Sequence, residues 1–84
     1  MDNLDWRTEP IRLLQELHSG ARWWAADDDN SICGELPGTP IVIEDEGDGW
    51  YRAVVFFGGG RHEGLGPHPL MALRVAAKRA GVAL

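Results

Sequence analysis

Three side chains, Cys33, His62 and His68, belong to the types that bind metals or pair a nucleophile with a base. Their spacing does not support either role. Zinc sites built from Cys and His use closely paired ligands, and the chain has no second Cys. We therefore interpret them as a small semi-buried Cys and two loop histidines, and we expect no catalytic residue, no metal site and no cofactor.

Asp27, Asp29 and Ser31 have the alternate spacing that opens a calcium-binding loop. Such a loop then needs Gly at its sixth position and Glu at its twelfth. Ile32 and Gly38 stand at those positions, so the pattern fails twice. An exposed acidic turn is the better interpretation.

The run Gly58-Gly59-Gly60 has the composition of a phosphate-binding loop. A loop of that kind comes directly before a helix and is followed by a Lys. Neither feature follows this run within the next few residues, so it is predicted to be a flexible turn that ends a strand.

Acidic residues are concentrated in two segments that are expected to connect strands. They are Asp27, Asp28, Asp29, Glu44, Asp45, Glu46 and Asp48. The span from residue 27 to residue 48 holds eight acids and no base. If both turns reach the same end of a sheet, they concentrate a negative field there, which suits a basic protein groove of the kind that holds nucleic acid. Simple solubility is the alternative explanation.

Trp23 and Trp24 are candidate contact residues. Adjacent residues on a strand point to opposite faces, so only one of them can enter a single core. The outward member is a candidate anchor, because Trp contributes to interfaces out of proportion to its numbers. Met71 and Val75, on the side of the last helix away from its alanine stripe, either extend such a patch, support a homodimer or belong to a wider core.

The last part of the chain is basic. Residues 1–48 carry twelve acids against three bases, whereas residues 49–84 carry one acid against five bases. Those bases are Arg52, Arg61, Arg74, Lys78 and Arg79. Together with an aromatic side chain that stacks on bases, they would form a nucleic-acid-binding module, which is the alternative function.

Length and composition restrict the class of protein. The 84 residues suffice for one domain, with residues 1–8 expected to be a loosely ordered N-terminus. The hydrophobic content of 44% favours a folded chain. No apolar run approaches the ~20 residues of a membrane span, and the acidic start does not resemble a signal peptide. With a single Cys there is no internal disulfide, so we expect a cytoplasmic protein.

The elements that must position these residues can be predicted from local patterns. Thr8-Glu9-Pro10 supplies a capping hydroxyl, an acid and a first-turn Pro, which predicts a helix over residues 9–19 that stops at Gly20. Strands are predicted over residues 22–26, 32–36, 41–44 and 50–57, the last two forming a hairpin. Residues 61–69 are predicted to be a loop, followed by a helix from Pro69 to about Ala80, with Gly81 as its stop.

The predicted fold class is therefore α+β. A helix is followed by an antiparallel β-sheet of three to four strands and a second helix, with both helices packed on the sheet.

Two segments resemble a known family with the same order of elements. The stretch EPIRLLQEL at residues 9–17 resembles the first helix of double-stranded RNA-binding domains, and LMALRVAAK at residues 70–78 resembles their last helix. That family grips phosphates with a lysine cluster that opens the last helix. The matching positions here are His68, Pro69 and Leu70, so the resemblance implies the fold and not the function.

The C-terminal segment GLGPHPLMALRVAAKRAGVAL is similar to the ending of small phage-borne α-β-α sandwich proteins. The resemblance covers about the last quarter of the chain. It implies a phage setting, in which short acidic proteins often inhibit host defence, the anti-CRISPR proteins among them.

From these patterns we expect a small acidic interaction protein without enzymatic activity. Its acidic turns would dock on a basic, nucleic-acid-binding protein surface, with the outward Trp as an anchor.

Overall fold

The chain folds as a helix, a five-stranded antiparallel sheet and a second helix. The computed structural model describes residues 5–28 and 30–84. In chain order the elements are α1 (Thr8–Leu17), β1 (Arg22–Ala25), β2 (Ser31–Leu36), β3 (Thr39–Gly47), β4 (Trp50–Phe57), β5 (Gly60–Gly66) and α2 (Pro69–Ala80). The predicted order of helix, antiparallel sheet and helix is confirmed, but the predicted number of strands is too low by at least one.

The sheet is a simple meander in which each strand pairs with its neighbours in sequence, in the order β1-β2-β3-β4-β5. Two of its hairpins use two-residue turns in which both residues have positive φ, at Asp48 and Gly49 (55° and 79°) and at Gly58 and Gly59 (64° and 78°). Turns of this type match the twist of the strands that they join. The predicted strands 41–44 and 50–57 left a five-residue turn over residues 45–49. Because β3 continues to Gly47, that turn has only two residues.

The prediction of a loop over residues 61–69 is wrong, because most of it forms β5. Gly64 and Gly66 resembled turn residues, yet they lie within the strand, where α2 crosses it. A Cβ atom on Gly64 would lie 2.4 Å from the backbone nitrogen of Ala76 and 2.5 Å from the backbone oxygen of Ala72. These glycines therefore allow a helix backbone to approach a strand backbone closely, which is an established use of glycine in strands.

The prediction for α2 is confirmed at both ends. The Nδ1 atom of His68 accepts a hydrogen bond of 3.1 Å from the backbone N–H of Leu70, and Pro69 occupies the first turn. Gly81 ends the helix in the left-handed conformation, with a φ of 77°. The buried residues of the helix are Pro69, Ala72, Leu73, Ala76 and Ala77.

The predicted ends of α1 need correction. The residue before the helix is Arg7, whose side chain makes no capping hydrogen bond, and Thr8 is the first helical residue. The helix ends at Leu17, and Gly20 is not among the residues with positive φ. The N–H of His18 instead bonds to the carbonyl oxygen of Leu14, which closes the last turn without a glycine.

One hydrophobic core lies between the helices and one face of the sheet. Residues directly opposite each other in an antiparallel pair share a face, and one such row runs through Trp23, Gly34, Ile41 and Val55. The buried cluster that includes these apolar side chains also contains Leu14 of α1 and Leu73 of α2. Both helices therefore cover the same face, and within residues 5–28 and 30–84 neither helix covers the other face, which we call the open face.

Neither helix in the described part of the chain has the length and the apolar run needed to cross a membrane.

We expect Gly64→Ala to destabilise the protein by about 1–3 kcal/mol, because the added methyl group meets helix backbone that cannot swing away. Guanidinium unfolding followed by circular dichroism measures the change. Gly20→Ala is the matched control, since a Cβ there meets no atom within 4 Å and the backbone has no positive φ. Equal free energies of unfolding for the two variants would contradict this account of the contact between α2 and β5.

Candidate interaction surface

The two acidic turns lie at the same end of the sheet. In a meander the connections β1–β2 and β3–β4 fall at one end, and the connections β2–β3 and β4–β5 fall at the other. Hydrogen bonds join the two turns directly. The N–H of Asp45 donates to the carbonyl oxygen of Asn30 at 3.4 Å, and the Nδ2 of Asn30 donates to the carbonyl oxygen of Asp45 at 3.2 Å.

We call this end of the sheet the acidic end. Its described acids are Asp27, Asp28, Glu44, Asp45, Glu46 and Asp48. Asp29, which was predicted to belong to it, lies outside the described residues.

Two of these carboxylates hold the turns in shape. Asp28 accepts hydrogen bonds from the backbone N–H of Asn30 at 3.0 Å and from the Oγ of Ser31 at 2.8 Å. Both bonds lower the pKa of Asp28, the bond from the Asn30 backbone more than the bond from the Ser31 hydroxyl, so the carboxylate stays ionised. Asp45 accepts from the N–H of Gly47 at 2.9 Å, beside the irregular register that ends β3. The hydroxyl of Ser31 is thus already bonded within its own turn.

Arg7 ties the chain before α1 to the acidic end. This side chain is only 5% exposed, and its Nη1 donates to the carbonyl oxygens of Ala26 at 2.8 Å and Ser31 at 3.0 Å. The carboxylate of Asp5 holds the other side of the guanidinium at 2.6–3.0 Å. Hydrogen bonds from the side chain and backbone of Arg7 lower the pKa of Asp5 to about 2.

The expectation of a loosely ordered N-terminus falls partly on residues 1–4, which lie outside the described residues. The described part of that segment packs against the domain. Besides the Arg7 contacts, the ring of Trp6 lies 5.1 Å from the ring of Tyr51 on β4.

The two tryptophans of β1 lie on opposite faces of the sheet, as the alternation of side chains along a strand requires. Trp23 is 5% exposed, lies against Gly34 and donates its indole N–H to the carbonyl oxygen of His18 at 3.1 Å. Trp24 is 42% exposed on the open face of the sheet, with the guanidinium of Arg22 5.6 Å from its ring centre. Trp24 is therefore the outward member, and Trp23 belongs to the core.

The predicted basic residues do not form one patch. Arg52 and Arg61 lie on the open face, where both bind the carboxylate of Glu63, at 2.6 Å and 3.0 Å. Arg52 also contacts Glu46 at 3.3 Å, and the Nη1 of Arg79 donates to the carbonyl oxygen of Glu63 at 3.1 Å. The remaining two bases, Arg74 and Lys78, are exposed on α2.

Cys33, His62 and His68 lie apart. Cys33 is on the open face, whereas His62 is opposite Val55, whose side chain points to the covered face, and His68 caps α2. Burial, followed by the negative charges of Asp28 and Asp27, raises the pKa of the Cys33 thiol. A raised pKa keeps a thiol protonated and weakly nucleophilic at neutral pH.

Within residues 5–28 and 30–84, no group of three or more His, Cys, Asp or Glu side chains is arranged to hold a metal ion. The Gly58–Gly59 pair forms a hairpin turn that leads into β5 and not into a helix, so the geometry of a phosphate-binding loop is not present there.

A shallow groove of ≈ 310 Å³ runs between the end of α1 and the first half of α2. Leu17, Leu70, Met71 and Leu84 supply most of its apolar lining, and Arg74 lies beside them.

Comparison with protein-family models, with curated proteins and with solved structures found no match to the chain.

Sequence reasoning missed the residues that assemble the acidic end. Arg7 and Asn30 were not singled out, although an Arg that directly follows Asp-Trp and an Asn in a run of aspartates were visible signals. Their importance depends on partners 15 to 24 residues away along the chain, which no local pattern shows.

We expect Asp5→Asn to lower stability at neutral pH and to have little effect near pH 2. A carboxylate whose folded pKa is about 2 and whose ordinary value is 3.8 stabilises the fold above pH 3.8 and loses that contribution as pH falls through about 2. Unfolding curves from neutral pH down to about pH 2 would show the two proteins converging. Asp27→Asn, in the exposed part of the β1–β2 turn, is the control, and a difference that persists unchanged at pH 2 would contradict this role of Asp5.

Proposed function

We propose that this protein is a non-enzymatic interaction protein that docks its acidic end on a basic surface of a protein partner. The observation that supports the proposal is the union of two acidic turns, far apart in sequence, by the hydrogen bonds between Asn30 and Asp45. A solubilising charge distribution needs no such union. A concentrated negative field at one end of a small protein favours encounter with a positively charged groove.

Internal hydrogen bonds divide the acids into two groups. The carboxylates of Asp28 and Asp45 accept hydrogen bonds within the turns and so stabilise their shape. Asp27 and Asp48 are exposed, and the structure gives their side chains no hydrogen bond within the described chain, so they are free to meet a partner. Glu44 and Glu46 flank them, next to Arg52.

The chemistry of the partner follows from this charge. A groove that recognises several closely spaced carboxylates must present several Lys or Arg side chains, and such grooves are common where proteins hold nucleic acid. Trp24, exposed on the strand that leads into the β1–β2 turn, is the anchor in this proposal. The resemblance of the C-terminal segment to phage-borne proteins would make the partner a host complex, met in the cytoplasm.

The proposal can be tested with a synthetic Lys/Arg-rich peptide as the basic probe. Asp27→Asn, Glu46→Gln and Asp48→Asn combined should weaken binding about tenfold, because three charges at ~0.5 kcal/mol each amount to ~1.5 kcal/mol and a factor of ten corresponds to ~1.4 kcal/mol. Fluorescence anisotropy of the labelled peptide gives the dissociation constants.

The matched control combines Glu9→Gln, Glu16→Gln and Glu35→Gln, which changes the net charge equally at three other exposed positions. We expect this control to bind the peptide nearly as well as the unmodified protein. Equal weakening in both triple variants would show that only the net charge matters, and it would overturn the acidic end as a docking site.

Nucleic-acid binding through Arg52, Arg61, Arg74, Lys78 and Arg79 remains the alternative function. The contacts of Arg52 and Arg61 with Glu63 disfavour it, because phosphates would have to displace a carboxylate from both guanidinium groups. We expect no gel retardation of a labelled RNA or DNA duplex at about 50 mM salt, where phosphate contacts are strongest. Clear retardation that weakens with added salt would favour this alternative instead.

A further inference from the structure

The open face of the sheet is unusually apolar for a face turned to solvent. One-sided antiparallel sheets normally alternate apolar residues towards the core with polar residues outward. Here the row of directly opposed residues across β1 to β4 is Trp24, Cys33, Val42 and Val54. The remaining apolar side chains of this face are Pro40, Trp50, Phe56 and Leu65.

The centre of this face is largely buried although neither helix of the described residues covers it. Val54 is only 4% exposed, yet it is not part of the core cluster between the sheet and the helices. Trp24, Phe56 and Leu65 surround this centre and stay between 39% and 52% exposed. The face thus has a dry centre with large apolar side chains around it, which is the usual composition of an interface core.

The charges on this face nearly balance. Its three bases are Arg22, Arg52 and Arg61, and the acids beside them are Glu35, Glu44, Glu46 and Glu63. Each of these bases has a carboxylate within 4.0 Å. This face therefore carries little of the net charge of −5, and a second copy could approach it with little repulsion.

We infer that a second copy of this chain covers the open face, so that two sheets pack face to face in a two-fold symmetric dimer. Five strands spaced about 4.8 Å apart, with four residues of β1 and about six of each other strand at ~3.3 Å per residue, give a plane of at most roughly 24 Å by 20 Å. That plane of about 480 Å² is most of the ~600 Å² per partner at which stable interfaces begin, and the accessible area of a side-chain surface exceeds its plane.

Symmetry and charge together select the orientation. Two faces that pack against each other by a two-fold rotation must have the axis in the plane between them. An axis parallel to the strands would place the two acidic ends side by side, whereas an axis perpendicular to the strands places them at opposite ends. The second arrangement separates the acidic ends by about the length of a strand, roughly 25 Å, which exceeds the ~8 Å screening length at physiological salt. The dimer therefore presents one acidic end at each of its two extremities.

Sedimentation equilibrium of the full chain tests this inference. We expect the unmodified protein to sediment as a dimer and Leu65→Glu to raise the dimer dissociation constant at least tenfold, because it places an unpaired charge in the contact. Met71→Glu is the matched control, since Met71 and Leu65 are each 52% exposed and Met71 lies on α2, on the opposite side of the molecule. Trp24→Lys, on the opposite edge strand, is a second variant if Leu65→Glu folds poorly by circular dichroism.

The outcomes are distinct. The inference is supported if the unmodified protein and Met71→Glu form dimers and the open-face variants dissociate. A monomer at every concentration would overturn it and leave the face to a different protein. If Met71→Glu disrupts the dimer and the open-face variants do not, self-association takes place on the groove side of α2. That result would also overturn the inference. Neutralising Asp27 and Asp48, which lie in the connecting turns, should leave the dimer intact, so this inference and the proposed function can fail separately.

Discussion

The close backbone contact between α2 and β5 is the constraint on which the rest of this structure depends. Because Gly64 and Gly66 carry no Cβ, the backbone of α2 can pack directly against the backbone of β5. This close approach buries the small side chains of Ala72 and Ala76. The helix is thereby held on one face of the sheet. Since α1 contributes Leu14 to the same core, both helices share that face and the opposite face has no cover from the described chain.

The same topology concentrates charge. The meander places the β1–β2 and β3–β4 turns together, and both helices begin at that end of the sheet. Arg7, immediately before α1, bonds to Ala26 and Ser31, while α2 starts shortly after Gly66, which is opposite Tyr51 on β4. The partial positive charge at helix N-termini offsets part of the mutual repulsion of nearby carboxylates. The acidic end is thus compatible with a stable fold in spite of its charge density.

The acidic end borders the open face, and the two surfaces share Trp24 and Glu44. The proposed dimer would cover Trp24 and leave the carboxylates of the two turns to a basic partner. The first surface is polar and negatively charged, and the second is largely apolar, with its bases paired to carboxylates. In the proposed dimer the second surface brings two copies of the first into one molecule. Two linked sites raise the effective concentration for a partner with two basic grooves, without any new contact.

The sequence by itself determined the class of fold, the β3–β4 hairpin and both ends of α2, because each of these follows from short-range patterns such as Pro69 at the start and Gly81 at the stop of the helix. It also determined that Trp23 and Trp24 face opposite ways and that two turns are acidic. It did not determine β5, since Gly64 and Gly66 have the same signature in a loop as in a strand beneath a helix. The tertiary structure alone decided that the acidic turns meet, that Glu63 holds Arg52 and Arg61, and that one sheet face stays open, because each of these depends on which distant residues the meander and the helix packing bring together.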